Sequence, residues 1–207
     1  MAAAQVVCVA GALADDGQYW NKLQLQQNLN SKWETHLALH SRVVNDFSDI
    51  RVYYAAPGFL YHLSKRFAFG LNYKLQRVKV KSGWTNEHRI EIQPLLVKWT
   101  WDKLRLSWRN RLEYRNIEGA VEWRLRERLE LKHTLNWRGL EFSPFLAEEV
   151  FYSFRMGDFD QNRLSLGIAK KITSALTLDI FYMHKHNNRR GRRFSEHILE
   201  TDFKINF

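Results

Sequence analysis

The sequence predicts an all-β chain folded as a single antiparallel transmembrane β-barrel of about 10–12 strands. Three observations carry this. Beyond residue 18 or so, apolar and polar residues alternate in successive segments, and helical periodicity is nowhere sustained. Short polar turns separate these segments. The final stretch, "ETDFKINF", places Thr201, Phe203, Ile205 and Phe207 in one phase and Glu200, Asp202, Lys204 and Asn206 in the other. Successive side chains of a strand point to opposite faces, so this ribbon has one mostly apolar side and one ionic side.

Composition is consistent with that fold. The 207 residues are 14% aromatic and 26% charged, with a net charge of +10 and a mean hydropathy of -0.47. A membrane barrel tolerates such polarity because lumen-facing polar residues alternate with lipid-facing ones. No apolar run of about eighteen residues occurs, which excludes a helical membrane span. Nothing resembling a linker divides the chain, so one domain is expected.

Residues 1–14 read as a secretory signal peptide: an apolar run closes on Ala12-Leu13-Ala14, a small-x-small cleavage pattern, before Asp15 and Asp16. Residues 15–207 then form the barrel. The sole cysteine, Cys8, falls within the signal, so no internal disulfide and no thiol-based metal or redox motif is expected. Gln5-Val6-Val7 lacks the small residue expected before a lipidated cysteine.

Strands are expected in order near 19–29 and 32–44, joined at Asn30-Ser31, then 50–63 and 66–79, joined at Ser64-Lys65. Next come 87–99 and 103–115 around Asp102-Lys103, then 120–135 and 139–153 around Arg138-Gly139. The last are 161–172 and 175–186 around Ser174-Ala175, and 195–207. The faces are clearest mid-chain. In "LRLSWRNRLEYR", Leu104, Leu106, Trp108, Leu112 and Tyr114 oppose Arg105, Ser107, Arg109, Arg111, Glu113 and Arg115. In "VEWRLRERLELK", Val121, Trp123, Leu125, Leu129 and Leu131 oppose Glu122, Arg124, Arg126, Arg128, Glu130 and Lys132. Glu127 interrupts the apolar phase and suggests a bulge or a polar exit at a rim.

Such strands are about twice the common soluble length of five or six residues, and a closed barrel hides the edges of so long a meander. Beside the tight turns stand Trp33, Phe67, Trp99, Trp101 and Trp137, where an aromatic girdle is expected. The alternate connections, "NDFSD", "KSGWTNE", "RNIEG", "RMGDFD" and "NNRRGRR", predict longer, charged loops on the other rim. Eleven segments conflict with the even strand number of bacterial single-chain barrels, so ten or twelve are also admissible.

The apolar–polar final strand ending on Phe resembles the assembly signal of bacterial outer-membrane barrels, carried here by Phe203, Ile205 and Phe207 without the frequent upstream glycine. That resemblance implies engagement by the barrel assembly machinery. The stretches "YWNKLQLQQNLNSKWETHLALHSR", "PGFLYHLSKRFAFGLNYK", "RNRLEYR", "WRLRERLELKH", "PFLAEEVFY" and "QNRLSLGIAKKI" resemble the family catalogued as domain of unknown function 2490. The resemblance implies a barrel in the bacterial outer membrane and assigns no activity.

The candidate site is an ionic ladder. If 103–115 and 120–135 are hairpin neighbours, Arg105, Arg109, Arg111, Arg124, Arg126 and Arg128 line the lumen beside Glu113, Glu122 and Glu130. Opposed Arg and carboxylate groups can pair bidentately and stiffen a narrow interior. The same arginine excess can line an anion-selective path. In "NNRRGRR", Arg189, Arg190, Arg192 and Arg193 suit either lipid phosphate or plain solvent. An export signal argues against nucleic acid as the basic patch's partner.

Catalytic and metal readings are weaker. His36 and His40 share a face of one strand at a separation of ~13 Å, too far to chelate one metal. Ser41 and Ser107 have no base placed against them, and Glu148 and Glu149 fall on opposite faces. No cofactor, metal or enzymatic activity is expected. The expected function is structural, or a narrow pore for small anionic solutes in an outer membrane whose lipid contacts the apolar face. A soluble lipocalin-like ligand-binding barrel, with its apolar face inward, is the alternative, and a lipid-modifying enzyme the third.

Overall fold

In the computed structural model, residues 17–44, 48–189 and 192–207 are described. The proposed signal peptide, Cys8 and Arg190 lie outside these residues.

Twelve strands follow one another: β1 (Gly17–Asn28), β2 (Trp33–Val44), β3 (Asp49–His62), β4 (Phe67–Val80), β5 (Gly83–Trp101), β6 (Leu104–Ile117), β7 (Ala120–His133), β8 (Leu135–Trp137), β9 (Leu140–Ser153), β10 (Asp158–Lys171), β11 (Leu176–Arg189) and β12 (Arg192–Asn206). Eleven of them close the barrel. The short β8 continues the β7–β9 hairpin in the same register after a break at Thr134. All neighbours are antiparallel except the closing pair, where β1 runs parallel to β12 from Gly17↔His197 to Gln26↔Asn206. That exception follows from parity, because an odd number of alternating strands leaves the first and last pointing the same way.

The strands alternate with period two, and β5 changes phase at a register shift between Ile92 and Leu95, beyond which Leu96 and Lys98 line the interior. In β4, Phe67, Phe69, Leu71, Tyr73 and Leu75 are exposed outward, whereas Ala68, Gly70, Asn72, Lys74 and Gln76 are turned in. The apolar face therefore points out, opposite to the lipocalin-like arrangement. Outward aromatics gather at both ends. Trp33, Phe67, Trp101 and Trp137 stand near the turns expected to be tight. A second belt, unforeseen in the sequence, pairs Tyr53 with Trp84, Tyr114 with Trp123, and Tyr152 with Phe154 and Phe159 near the opposite rim.

The expected asymmetry of the rims is corrected. Strands extend into most of the segments read as long loops: β5 takes in Gly83–Trp84, β10 starts at Asp158 and β12 at Arg192, so among the described residues the connections are short on both rims. Turn chemistry explains their compactness. Asn30, Ser64 and Thr173 each accept two backbone N–H bonds within their turns. The two-residue turns Glu118-Gly119 and Arg138-Gly139 have positive φ at both positions (49° and 90°, 51° and 81°), the geometry that matches strand twist.

Glu127 is not at a bulge or a rim. It lies midway along β7, opposite Asn110 in unbroken register, on the outward face. It accepts hydrogen bonds there from Trp108 Nε1 at 2.6 Å and from Asn110 Nδ2.

Candidate functional site: the charged lumen

The interior divides into two walls. On the β9–β1 side, Trp20, Phe145, Ala169, Phe181, Met183 and Ile198 form an apolar cluster. Gly167 makes room for it: a Cβ there would lie 2.2 Å from Phe181 Cβ. Across β5, β6 and β7 the inward phase is almost wholly ionic.

Strand β5 brings Glu87, Arg89 and Glu91 inward, β6 Arg109, Arg111, Glu113 and Arg115, β7 Arg124, Arg126 and Arg128, and β9 Glu149. Register puts several like charges directly opposite: Arg89↔Arg115, Glu91↔Glu113, Arg109↔Arg128 and Arg111↔Arg126. Facing like charges repel, so at these positions attraction runs along diagonals, which long side chains can reach, whereas Glu113↔Arg124 and Arg115↔Glu122 face each other as opposite charges. Glu113, fully buried, accepts from Arg124 (2.6 Å), Arg89 (3.3 Å) and Arg126 (3.4 Å). Glu149 accepts from Arg126 (2.6 Å), Arg109 (3.0 Å) and Arg163 (3.5 Å). Glu91 takes Arg111 at 2.7 Å and Lys74 at 2.8 Å, and Glu87 takes Arg89 at 2.6 Å and Arg115 at 2.7 Å.

Of the residues expected at this site, Glu113 and Arg124 pair directly across the hairpin; Arg109 and Arg111 draw their counterions from β9 and β5 instead, and Arg126 adds Glu149 of β9 to a longer contact with Glu113. Arg128 pairs with Glu130 at 2.8 Å along its own strand, and Glu122 takes Arg115 at 3.2 Å near a rim. Arg105 lines the cavity and stands opposite Lys132. The hairpin reading missed Lys74, Glu87, Arg89, Glu91 and Arg163. The alternation "EHRIEIQ" already placed Glu87, Arg89 and Glu91 on one face, but no local signal ties that face to β6.

On the other wall, Lys22 pairs with Asp202, Lys204 with Asp179 and Lys185 with Glu196. His36 contacts Asn72 at 2.8 Å; His40 lies 3.6 Å from Glu200 and stacks on Tyr54. Among the described residues no cluster of three His, Cys, Asp or Glu could hold a metal ion. Glu148 faces outward, bonded to Asn162, while Glu149 faces in. Phe203 and Ile205 lie on the outward face of β12, and Phe207 is 74% exposed at its end. Arg189 and Arg192 are register partners at the β11–β12 end, and Arg193 is exposed.

Despite this network the interior is not filled. A cavity of about 980 Å³ remains, lined by sixteen Lys and Arg against eight Asp and Glu residues.

A closed, mostly antiparallel barrel with an apolar exterior and an ionic interior is of the outer-membrane type, and solved structures of that type share its fold. A "Bacterial polysaccharide outer membrane secretin" is similar with a TM-score of 0.57 at 13% identity, over 87% of this chain and 67% of that one. "LpxR from Salmonella typhimurium" gives 0.56 at 7% identity, over 89% and 87%. A NanC porin gives 0.50 at 10% identity, over 93% and 98%. At these identities the likeness concerns the fold alone. The chain belongs to the family described as Protein of unknown function (DUF2490), which matches residues 17–196. No curated protein matches it.

Proposed function

We propose that this chain is an outer-membrane barrel whose lumen admits small anionic solutes. The observation that carries the reading is the two-to-one excess of cationic over acidic side chains around the cavity. Surplus positive charge in a narrow, poorly hydrated channel favours anions and repels cations. The outward apolar faces and the two aromatic belts support residence in a lipid bilayer. In this reading the chain is not an enzyme: His36 and His40 are engaged by Asn72 and Glu200, and Ser41 is on the outward phase of β2.

The test is ion selectivity of the purified, refolded barrel in planar bilayers under a potassium chloride gradient. The expected result is an anion-selective reversal potential that falls in a Lys98→Glu/Arg105→Glu variant, since both residues line the cavity. Absence of conductance, or cation selectivity, sinks the proposal. A purely structural barrel is the second reading, favoured by the density of ion pairs on Glu113 and Glu149, which could brace the wall without passing any solute.

A further inference from the structure

We infer that Arg42, Arg163 and Lys185, gathered over Trp20, form a binding site for a tetrahedral oxyanion group, phosphate or sulfate, on a soluble solute. The inference rests on the anionic-solute reading above and names where in the lumen selectivity resides.

The three cations come from β2, β10 and β11, and all line the cavity. The Arg42 guanidinium lies 3.9 Å from the Trp20 ring centroid, that of Arg163 5.3 Å and the Lys185 ammonium 5.8 Å. Trp20 is itself held: its Nε1 donates to Gln18 at 3.0 Å, and Gln18 in turn donates to Glu196 at 2.8 Å, the carboxylate that pairs with Lys185. The platform and one cation are thus positioned by a single chain of contacts.

Counterions are short at this point. Glu149 reaches Arg163 only at 3.5 Å and is shared with Arg109 and Arg126. Glu200, the register partner of Trp20, has His40 at 3.6 Å. Arg42 makes no ion pair among the described residues, and its buried Nε has no hydrogen-bond partner. A buried donor left unbonded is costly, and a guanidinium fork suits the oxygens of phosphate or sulfate. Three hydrogen-bonding cations from three strands suit an anion with several acceptor oxygens, phosphate or sulfate, better than a two-oxygen carboxylate. A monoanion would also leave more of the charge uncompensated.

The test is calorimetric titration of the folded, detergent-purified barrel at low ionic strength with inorganic phosphate, alongside acetate. Folding of each variant is checked by the gel-mobility difference between unboiled and boiled samples. Wild-type protein is expected to bind phosphate at least about tenfold more tightly than acetate. Arg42→Gln and Arg163→Gln should each weaken phosphate by about tenfold or more, and Lys103→Gln, in the turn between β5 and β6 and outside the cavity lining, by less than about twofold. No phosphate binding, equal binding of acetate, or an equal loss in Lys103→Gln overturns the site. A short-chain phosphatidic acid binding more tightly than phosphate overturns the assignment to a soluble solute. Phosphate binding without conductance would remove the passage reading and leave the site. Anion-selective conductance without phosphate binding would do the reverse.

Discussion

Arg126 grips Glu149 through two hydrogen bonds, Nε to Oε1 at 2.6 Å and Nη2 to Oε2 at 2.9 Å, although the register partner of Glu149 is Arg128. The diagonal grip shows how the wall is built. Residues that face each other across β6 and β7 often repel, and cohesion comes from the next tier and the next strand.

Glu149→Ala should therefore be among the most damaging single changes. It strands Arg109, Arg126 and Arg163 around one lost carboxylate. Removing one partner from a buried ionic network costs about 3–5 kcal/mol. The expected outcome is a lower urea midpoint for unfolding of the refolded barrel, with Arg163→Gln milder because its contact with Glu149 is the longest of the three.

Gly167→Ala should destabilise by about 1–3 kcal/mol, the usual range for overpacking. The new methyl would meet Phe181 Cβ at 2.2 Å and the carbonyl oxygen of Ile180 at 2.6 Å. Because backbone atoms share in the clash, adding Phe181→Ala should not restore stability. Thermal loss of the heat-modifiable band, followed in both variants, checks this.

The outward Glu127 offers a test of which solvent meets the barrel's exterior. Glu127→Leu alone leaves the Trp108 N–H and the Asn110 amide without their acceptor. The double variant Glu127→Leu/Asn110→Leu removes most of that cost. In lipid vesicles the double variant should be at least as stable as wild type and about 1 kcal/mol more stable than the single. A double variant that aggregates from aqueous solution and never inserts would count against a lipid-facing band.

Deletion of Phe207 should separate assembly from stability. The residue is exposed, and its backbone N–H donates to Gln26 O at 3.0 Å. Refolding into detergent should change little, by about 1 kcal/mol or less. The folded fraction recovered from outer membranes of expressing cells should drop severalfold if the C-terminal aromatic is an assembly signal; equal recovery would show that it is not.

Most of the architecture was legible in period-two patterning. "LRLSWRNRLEYR" and "VEWRLRERLELK" alone reveal a hairpin with one aliphatic and one ionic face, and Asp102-Lys103 and Arg138-Gly139 are found as two-residue connections. The rims were misread because charged, glycine-containing segments such as "KSGWTNE" look like loops, yet Val80↔Gly83 carries the ladder right up to the two-residue turn Lys81-Ser82. Extended backbone costs a polar residue little when its side chain still reaches water. The second aromatic belt was missed for a related reason: Tyr114 and Trp123 meet only after the hairpin folds.

By itself, then, the sequence determined which residues share a face within a segment and that no helix carries the fold, because alternation is a local property of the chain. Direction and partnership were decided by tertiary structure. Closure turned the apolar phase outward and made the β1–β12 seam parallel, as an odd ring requires. Register then set Arg111 against Arg126 and sent each to a carboxylate on another strand, Glu91 and Glu149. Those pairings depend on the stagger of neighbouring strands, a non-local quantity that no single segment encodes.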